Sequence, residues 1–243
     1  MQHTVYYHPA CHTSYSLLKS FNGIQNYAEL VDVSKDITPA IVEKVLTVPL
    51  IATSGRFVYG GPIDIELAIK YLKGEDVVVD VNDPLESLGI AIVDSAAASS
   101  LVVSTGSLKP VLRFRDFIMA ATGLNLDPEG DRKSKDLFDL AEKEEAQFIE
   151  KWRKKMVATM AYNLIRERLY LGLKPEVDQE TVLLWLEAKT SFGRAGVPYL
   201  DRVQNLMVAA KDVYDYIEER KQKIEEKLKN EIEEIKSFFT TLK

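Results

Sequence analysis

Two hydrophobic periods divide the chain, and the place where one gives way to the other constrains the fold most. Up to Gly74 short apolar runs alternate with helical stripes, and from about Asp83 the period is helical throughout. Residues 4–8 and 29–33 read as strands. Between them Leu17, Leu18 and Phe21 form one helical stripe, ended by Gly23. Thr38, with Pro39 at the first helical position, caps a second helix whose buried face is Ile41, Val42 and Val45. Residues 49–52 and 56–59 are two short strands joined through Ser54-Gly55, a hairpin signal. Gly60-Gly61-Pro62 breaks the chain before a third helix that carries Ile65, Ala68, Ile69 and Leu72. The order is β-α-β-α-β-β-α, and its early βαβ unit is expected to pair its strands in parallel with a right-handed crossover.

This pattern makes residues 1–76 an α/β domain, 77–83 a linker and 84–243 an all-α domain. Val77-Val78-Val79 in the linker has the composition of an edge strand. Helices are expected over 84–103, 110–122, 132–171, 179–191 and 198–242. Trp152, Met156, Met160 and Leu164 recur at i+4, which marks a packed stripe rather than a cofactor box. The last helix has an apolar stripe (Val213, Ile217, Ile224, Leu228, Ile232, Ile235) and an outer face of Glu and Lys with pairs such as Glu219–Lys223 and Glu225–Lys229. That charged face is most simply solvated, but it could instead be one wall of a helical dimer seam, so a homodimer is among the expectations. A formal charge of −6 argues against a nucleic-acid partner, which needs a concentrated basic face. The most apolar stretch, 88–103, is interrupted by Asp94, Ser95, Ser99 and Ser100 and is short for a bilayer crossing of about 20 residues. The first residues lack the pattern of a signal peptide, so the expectation is a cytoplasmic protein with no membrane partner.

Cys11 is the chain's single cysteine, which excludes an internal disulfide. It stands where a strand ends and a helix begins, where free N–H groups and the positive end of the helix dipole favour a thiolate. A thiol so placed can have its pKa lowered towards neutrality. Ser14, one turn on, can direct its hydroxyl at the sulfur, and His8 and His12 flank it as further stabilisers of the anion. Pro49 opens a strand facing that helix start, so the Val48–Pro49 bond is a candidate cis peptide that offers the Val48 backbone to an extended thiol substrate. His8, Cys11 and His12 are the metal-ligand types at hand, but no fourth ligand is apparent and no metal is expected.

Thr47-Val48-Pro49-Leu50-Ile51, Gly55, Gly60-Gly61 and Asp64 resemble the glutaredoxin pattern, with Cys11-His12-Thr13-Ser14 in its Cys-x-x-Ser active-site slot. Residues 66–72, Glu-Leu-Ala-Ile-Lys-Tyr-Leu, are similar to a helix of glutathione transferases, which also join a thioredoxin-like domain to a helical one. The resemblance implies a thioredoxin fold, a monothiol site at Cys11 and Ser14, and substrate contacts at His8, His12, Val48, Pro49, Gly61 and Asp64. It also implies a low-molecular-weight thiol such as glutathione, and it permits an iron–sulfur cluster shared between two subunits. The chain departs from both patterns: Ile65 and Glu66 stand where the transferases have Glu/Gln-Ser, and Ile63 replaces the first acid after Gly-Gly. Each departure removes a charge partner for glutathione, and a weak glutathione signature counsels against the cluster. Residues 7–14 also look like the nucleophile loop of glutaredoxin-linked arsenate reductases, but Tyr15 stands in place of the arginine that would hold the oxyanion.

With one cysteine, any disulfide this chain forms is mixed, to a small thiol or to a protein disulfide substrate. The expected function is thiol–disulfide exchange or thiol transfer: the Cys11 thiolate attacks a disulfide sulfur and an external thiol releases it. The alternatives are a glutathione-transferase-like conjugating enzyme, whose helical domain supplies an apolar pocket, and a non-catalytic interaction protein that keeps the fold.

Overall fold

The computed structural model describes residues 2–36, 38–193 and 203–241. Its first elements follow the expected order: β1 (His3–Tyr7), α1 (His12–Ser20), β2 (Ala28–Asp32), α2 (Thr38–Glu43), β3 (Leu50–Thr53), β4 (Arg56–Gly60) and α3 (Ile65–Leu72). The strands form one mixed sheet in the order β2-β1-β3-β4. β1 runs parallel to β2 and antiparallel to β3, and β4 closes the β3 hairpin. Ser54 (φ 50°) and Gly55 (φ 78°) both take the left-handed conformation that a two-residue hairpin requires.

Alternation along β1 feeds two layers. Val5 packs with Leu17, Leu18, Ala68 and Leu72 under α1 and α3. Tyr6 faces the other way, into a cluster with Val45, Leu50, Ala52 and Ala120, the last of these from the helical half. The second helix differs from the expectation. α2 starts at Thr38, whose N–H is held by the Asp36 carboxylate (2.9 Å). It is only six residues long, so Ile41 (41% exposed) and Val42 (71%) stay at the surface. Val45 reaches the core from the loop after a left-handed Lys44 (φ 61°).

The helical half contains α4 (Pro84–Asp94), α5 (Ala96–Thr105), α6 (Lys109–Leu112), α7 (Arg115–Ala121), α8 (Gly130–Lys143), α9 (Glu145–Tyr170), α10 (Gln179–Gly193) and α11 (Val203–Thr241). Three of the expected helices are thus each divided. The first bends by 101° at Ser95, which ends α4 and caps α5 through the Ala98 N–H (3.1 Å). The second breaks at Phe114, whose ψ of 63° leaves the helical region. The third breaks at Glu144, next to Glu145, whose carboxylate accepts from the Ser107 hydroxyl (2.7 Å) and the Leu108 N–H (2.6 Å). The expected bounds of the last helix at Pro198 and Leu242 lie outside the described residues.

The Trp152, Met156, Met160 and Leu164 stripe is core, as expected. Gly89 of α4 lies flat against Trp152, and a Cβ there would run into the indole. The linker makes no strand: the Val79 N–H donates to Leu126 O (3.0 Å) and the Val81 N–H to Asp127 Oδ2 (2.8 Å). The apolar stripe of α11 is buried within the chain itself, and the helix packs on α9, α10, α5 and α1. The expected Glu219–Lys223 and Glu225–Lys229 pairs do not form; Glu225 turns one oxygen inward, and Lys221 reaches Glu176 of the α9–α10 loop instead (3.6 Å). Among the described residues no single helix is long and apolar enough to cross a membrane.

Ser95 is also where the halves meet, because its hydroxyl donates to the carbonyl of Leu46 (2.5 Å). Ser95→Ala removes a helix cap and leaves a buried carbonyl without its donor. The expected loss is about 2–3 kcal/mol of unfolding free energy, measured by urea denaturation.

Candidate functional site

After β1 the chain turns through His8-Pro9-Ala10, with the Ala10 N–H bonded to His8 Nδ1 (3.0 Å) and the Cys11 N–H to His8 O (2.9 Å). That turn makes Cys11 the N-cap of α1. Its sulfur accepts from the Ser14 N–H (3.5 Å) and donates its own proton to the carbonyl of Val48 (3.2 Å). The Val48–Pro49 peptide is cis, the isomer for which the sequence made it a candidate. The Val48 N–H makes no hydrogen bond among the described residues.

The sulfur therefore stands between a backbone donor and a backbone acceptor. A thiol satisfies both, whereas a thiolate would set its charge against the Val48 carbonyl. Burial pushes the Cys11 thiol above its ordinary value; the Ser14 N–H and hydroxyl pull it back and the Asp94 carboxylate raises it further, with Arg166 opposing. Desolvation of the anion thus opposes the activation expected at the helix start, and the Ser14 N–H and hydroxyl support it.

The two histidines have different surroundings. Burial holds His8 below its ordinary value, and its Nδ1 accepts from Ala10, so the ring is neutral with its proton on Nε2. His12 is exposed and turned towards Glu231 of α11 (3.9 Å). Gly61 donates to Pro49 O (2.9 Å). Asp64 caps α3 by accepting the Leu67 N–H (3.0 Å). Among the described residues no cluster of three His, Cys, Asp or Glu side chains is arranged to hold a metal ion.

A cavity of about 650 Å³ opens between the two halves. His8, Cys11 and Val48 line it, together with residues 33–35 and 45–47. His12, Gly61 and Asp64 do not. The facing wall comes from the α4–α5 corner, α9 and α10: Asp94, Glu167, Leu171, Trp185 and Lys189. Glu167 is clamped there by the Trp185 indole N–H (2.8 Å) and the Lys189 ammonium (2.8 Å). Burial pushes Asp94 from 3.8 up to about 6, against the pull of Arg166. None of this wall was singled out from the sequence. Asp94 alone left a trace there, as a charge inside the most apolar stretch of the chain. No family model, curated protein or solved structure compared with the chain matches it.

Asp94 binds its proton more tightly in the folded chain than in the unfolded one, so its ionisation opposes folding. Its contribution to stability is expected to fall as pH rises from about 4 to about 6, by about 3 kcal/mol in all. His8, with a lowered pKa, contributes the opposite slope in native and variant alike. The difference in unfolding free energy between Asp94→Asn and the native chain isolates the carboxylate. It should grow in favour of the variant across that interval, and a flat difference would show that Asp94 is not desolvated.

Proposed function

We propose that the chain exchanges thiols and disulfides through Cys11, with the partner seated in the cleft between its two halves. The observation that carries this is the position of Sγ: on the cavity wall, 3.2 Å from the Val48 carbonyl, with no second thiol in the chain to pair with. A disulfide sulfur entering the cleft meets a nucleophile beside a backbone edge whose N–H is open. The mixed S–S bond forms at Cys11 as the bond in the substrate breaks. The Cys11 proton passes to water, the departing thiolate takes one up from water, and a second external thiol then attacks the mixed disulfide, forming a new disulfide with the bound group and freeing Cys11.

The mixed sheet in the order β2-β1-β3-β4, the cysteine at the start of α1 and Pro49 opposite it support a glutaredoxin-like unit of thioredoxin fold. The following helices give it the architecture of the glutathione transferases. Glutathione itself has less support. Asp64, the acid the resemblance assigns to it, is occupied in capping α3 and stands off the cavity.

One observation favours a second reading, a binding protein without turnover: the Cys11 sulfur sits between the Ser14 N–H and the Val48 carbonyl, which suits a thiol, and desolvation raises its pKa. The two readings separate by experiment. Alkylation of Cys11 by iodoacetamide is expected to go on accelerating with pH beyond the ordinary thiol value of 9.0. In Ser14→Ala the profile should move higher still, since the Ser14 hydroxyl favours the anion. With small disulfides in molar excess, intact mass should show one mixed disulfide per native chain and none in Cys11→Ser. If the native chain forms none while its unfolded form does, the binding role stands and exchange does not.

A further inference from the structure

We propose that the partner thiol carries an ammonium group, which Asp94 binds while Cys11 exchanges with the sulfur. The inference rests on the exchange reading above and names its substrate class.

Asp94 is the last residue of α4 and lines the same cavity as Cys11. Its carboxylate lies next to the backbone of Gly61: a Cβ built there would stand 3.5 Å from Oδ2. Among the described residues it accepts no hydrogen bond and joins no ion pair, although it is largely buried. Its oxygens are not sealed off, since the sealed and unpartnered side-chain polar atoms belong to Ser104, Arg220 and Glu225.

The other charges around the cleft are matched. Lys189 holds Glu167 (2.8 Å), Lys35 holds Asp32 (3.4 Å), and Arg166 behind the wall holds Glu231 (2.7 Å). His8 is neutral. Arg166 attracts Asp94 but makes no ion pair with it, so among the described residues this carboxylate is the charge of the cavity without a contact partner, and a cation that enters stabilises it. Val48, Leu171 and Trp185 give the same space apolar walls, which suit a short hydrocarbon spacer between ammonium and sulfur. Asp94 also raises the Cys11 thiol. A bound ammonium cancels that push, so the right substrate favours the thiolate that attacks it.

The probe is cystamine, a disulfide with an ammonium at each end. The Cys11 proton passes to water and the thiolate attacks one sulfur. A Cys11–cysteamine disulfide forms, and cysteamine leaves as a thiolate that is protonated by water. Mixed-disulfide formation on the full chain is followed by intact mass with cystamine, the neutral bis(2-hydroxyethyl) disulfide and the anionic dithiodiglycolate. Each rate is divided by that of the unfolded chain with the same reagent, which removes intrinsic reactivity. The native chain is expected to favour cystamine over the neutral disulfide by about tenfold, with the anion slowest. In Asp94→Asn that preference should shrink to within about threefold. Hexamethylenediamine, which has the two charges and no sulfur, should slow the cystamine reaction of the native chain, and the corresponding diol should not. This arm needs no variant. Equal normalised rates for the three reagents, a preference unchanged in Asp94→Asn, or no competition by the diamine would each overturn the proposal while leaving exchange intact. No reaction with any reagent, where the unfolded chain reacts, would overturn the exchange reading and this one with it.

Discussion

The Ser95 hydroxyl joins the two halves of the chain at the point on which the cleft depends. It donates to Leu46 O and accepts the Ala98 N–H, so one atom sets both the loop before Val48 and the bend between α4 and α5. Without the bend, α4 and α5 would run on as one helix and Asp94 would stand in mid-helix rather than at a corner. Without the bond to Leu46, no hydrogen bond among the described residues would tie residues 45–48 to the facing wall at that corner. The Val48 carbonyl, two residues on, is the group that receives the Cys11 proton. A buried hydrogen bond contributes only about 1 kcal/mol net, but leaving its acceptor unpaired costs more, which gives the bond its power to fix geometry.

The other end of the chain braces the same site from behind. Ile232 and Ile235 of α11 pack on Tyr15 of α1, Phe239 stacks on Tyr7 (5.8 Å between centroids) and Phe238 meets Tyr15 edge-on (5.3 Å). The Tyr15 hydroxyl adds a bond to Glu234 (3.2 Å). Helix α1 carries Cys11 at its first turn, so a helix that starts at Val203 helps to hold the attitude of a sulfur near the N-terminus. This is an aromatic and aliphatic seam with the geometry of a core, and it gives the end of the α11 apolar stripe its partners within the chain.

Legibility followed the range of the interactions involved. The β-α-β-α-β-β-α order, the hairpin at Ser54-Gly55 and the Trp152-to-Leu164 stripe depend on period and on turn residues, which are local, and the structure has them all. The division of the long helices was not legible. Ser95 and Glu145 owe their effect to Leu46, Ser107 and Leu108, partners that no periodic pattern reveals. At the site the same division holds. Cys11, Ser14 and Val48 come together as their positions in the α/β pattern suggested, since neighbouring elements bring them there. The half of the cavity from α9 and α10 did not announce itself, because Glu167, Trp185 and Lys189 look like ordinary amphipathic helix residues until the fold turns them inward. The neighbour of His12 was not legible for a similar reason: Glu231 comes from α11, more than two hundred residues along the chain.

The state of the thiol shows why position alone does not set reactivity. A helix start offers an anion about 0.3–1 kcal/mol when exposed and up to about 2 kcal/mol when partly buried. Removing the same anion from water costs several kcal/mol unless enough donors replace the lost hydration. At Cys11 the Ser14 N–H and hydroxyl answer the sulfur, while the Val48 carbonyl and the Asp94 carboxylate disfavour its charge, so desolvation wins. The same balance makes the site responsive to what fills it. A ligand that takes over the Val48 backbone edge frees the thiol from its acceptor, and one that neutralises Asp94 removes an opposing charge from a medium of low dielectric, where its field is strongest. Both changes move Cys11 towards the anion only while the cleft is occupied. Under the exchange reading proposed above, a nucleophile held back in this way would be spared adventitious disulfides until a partner filled the cleft.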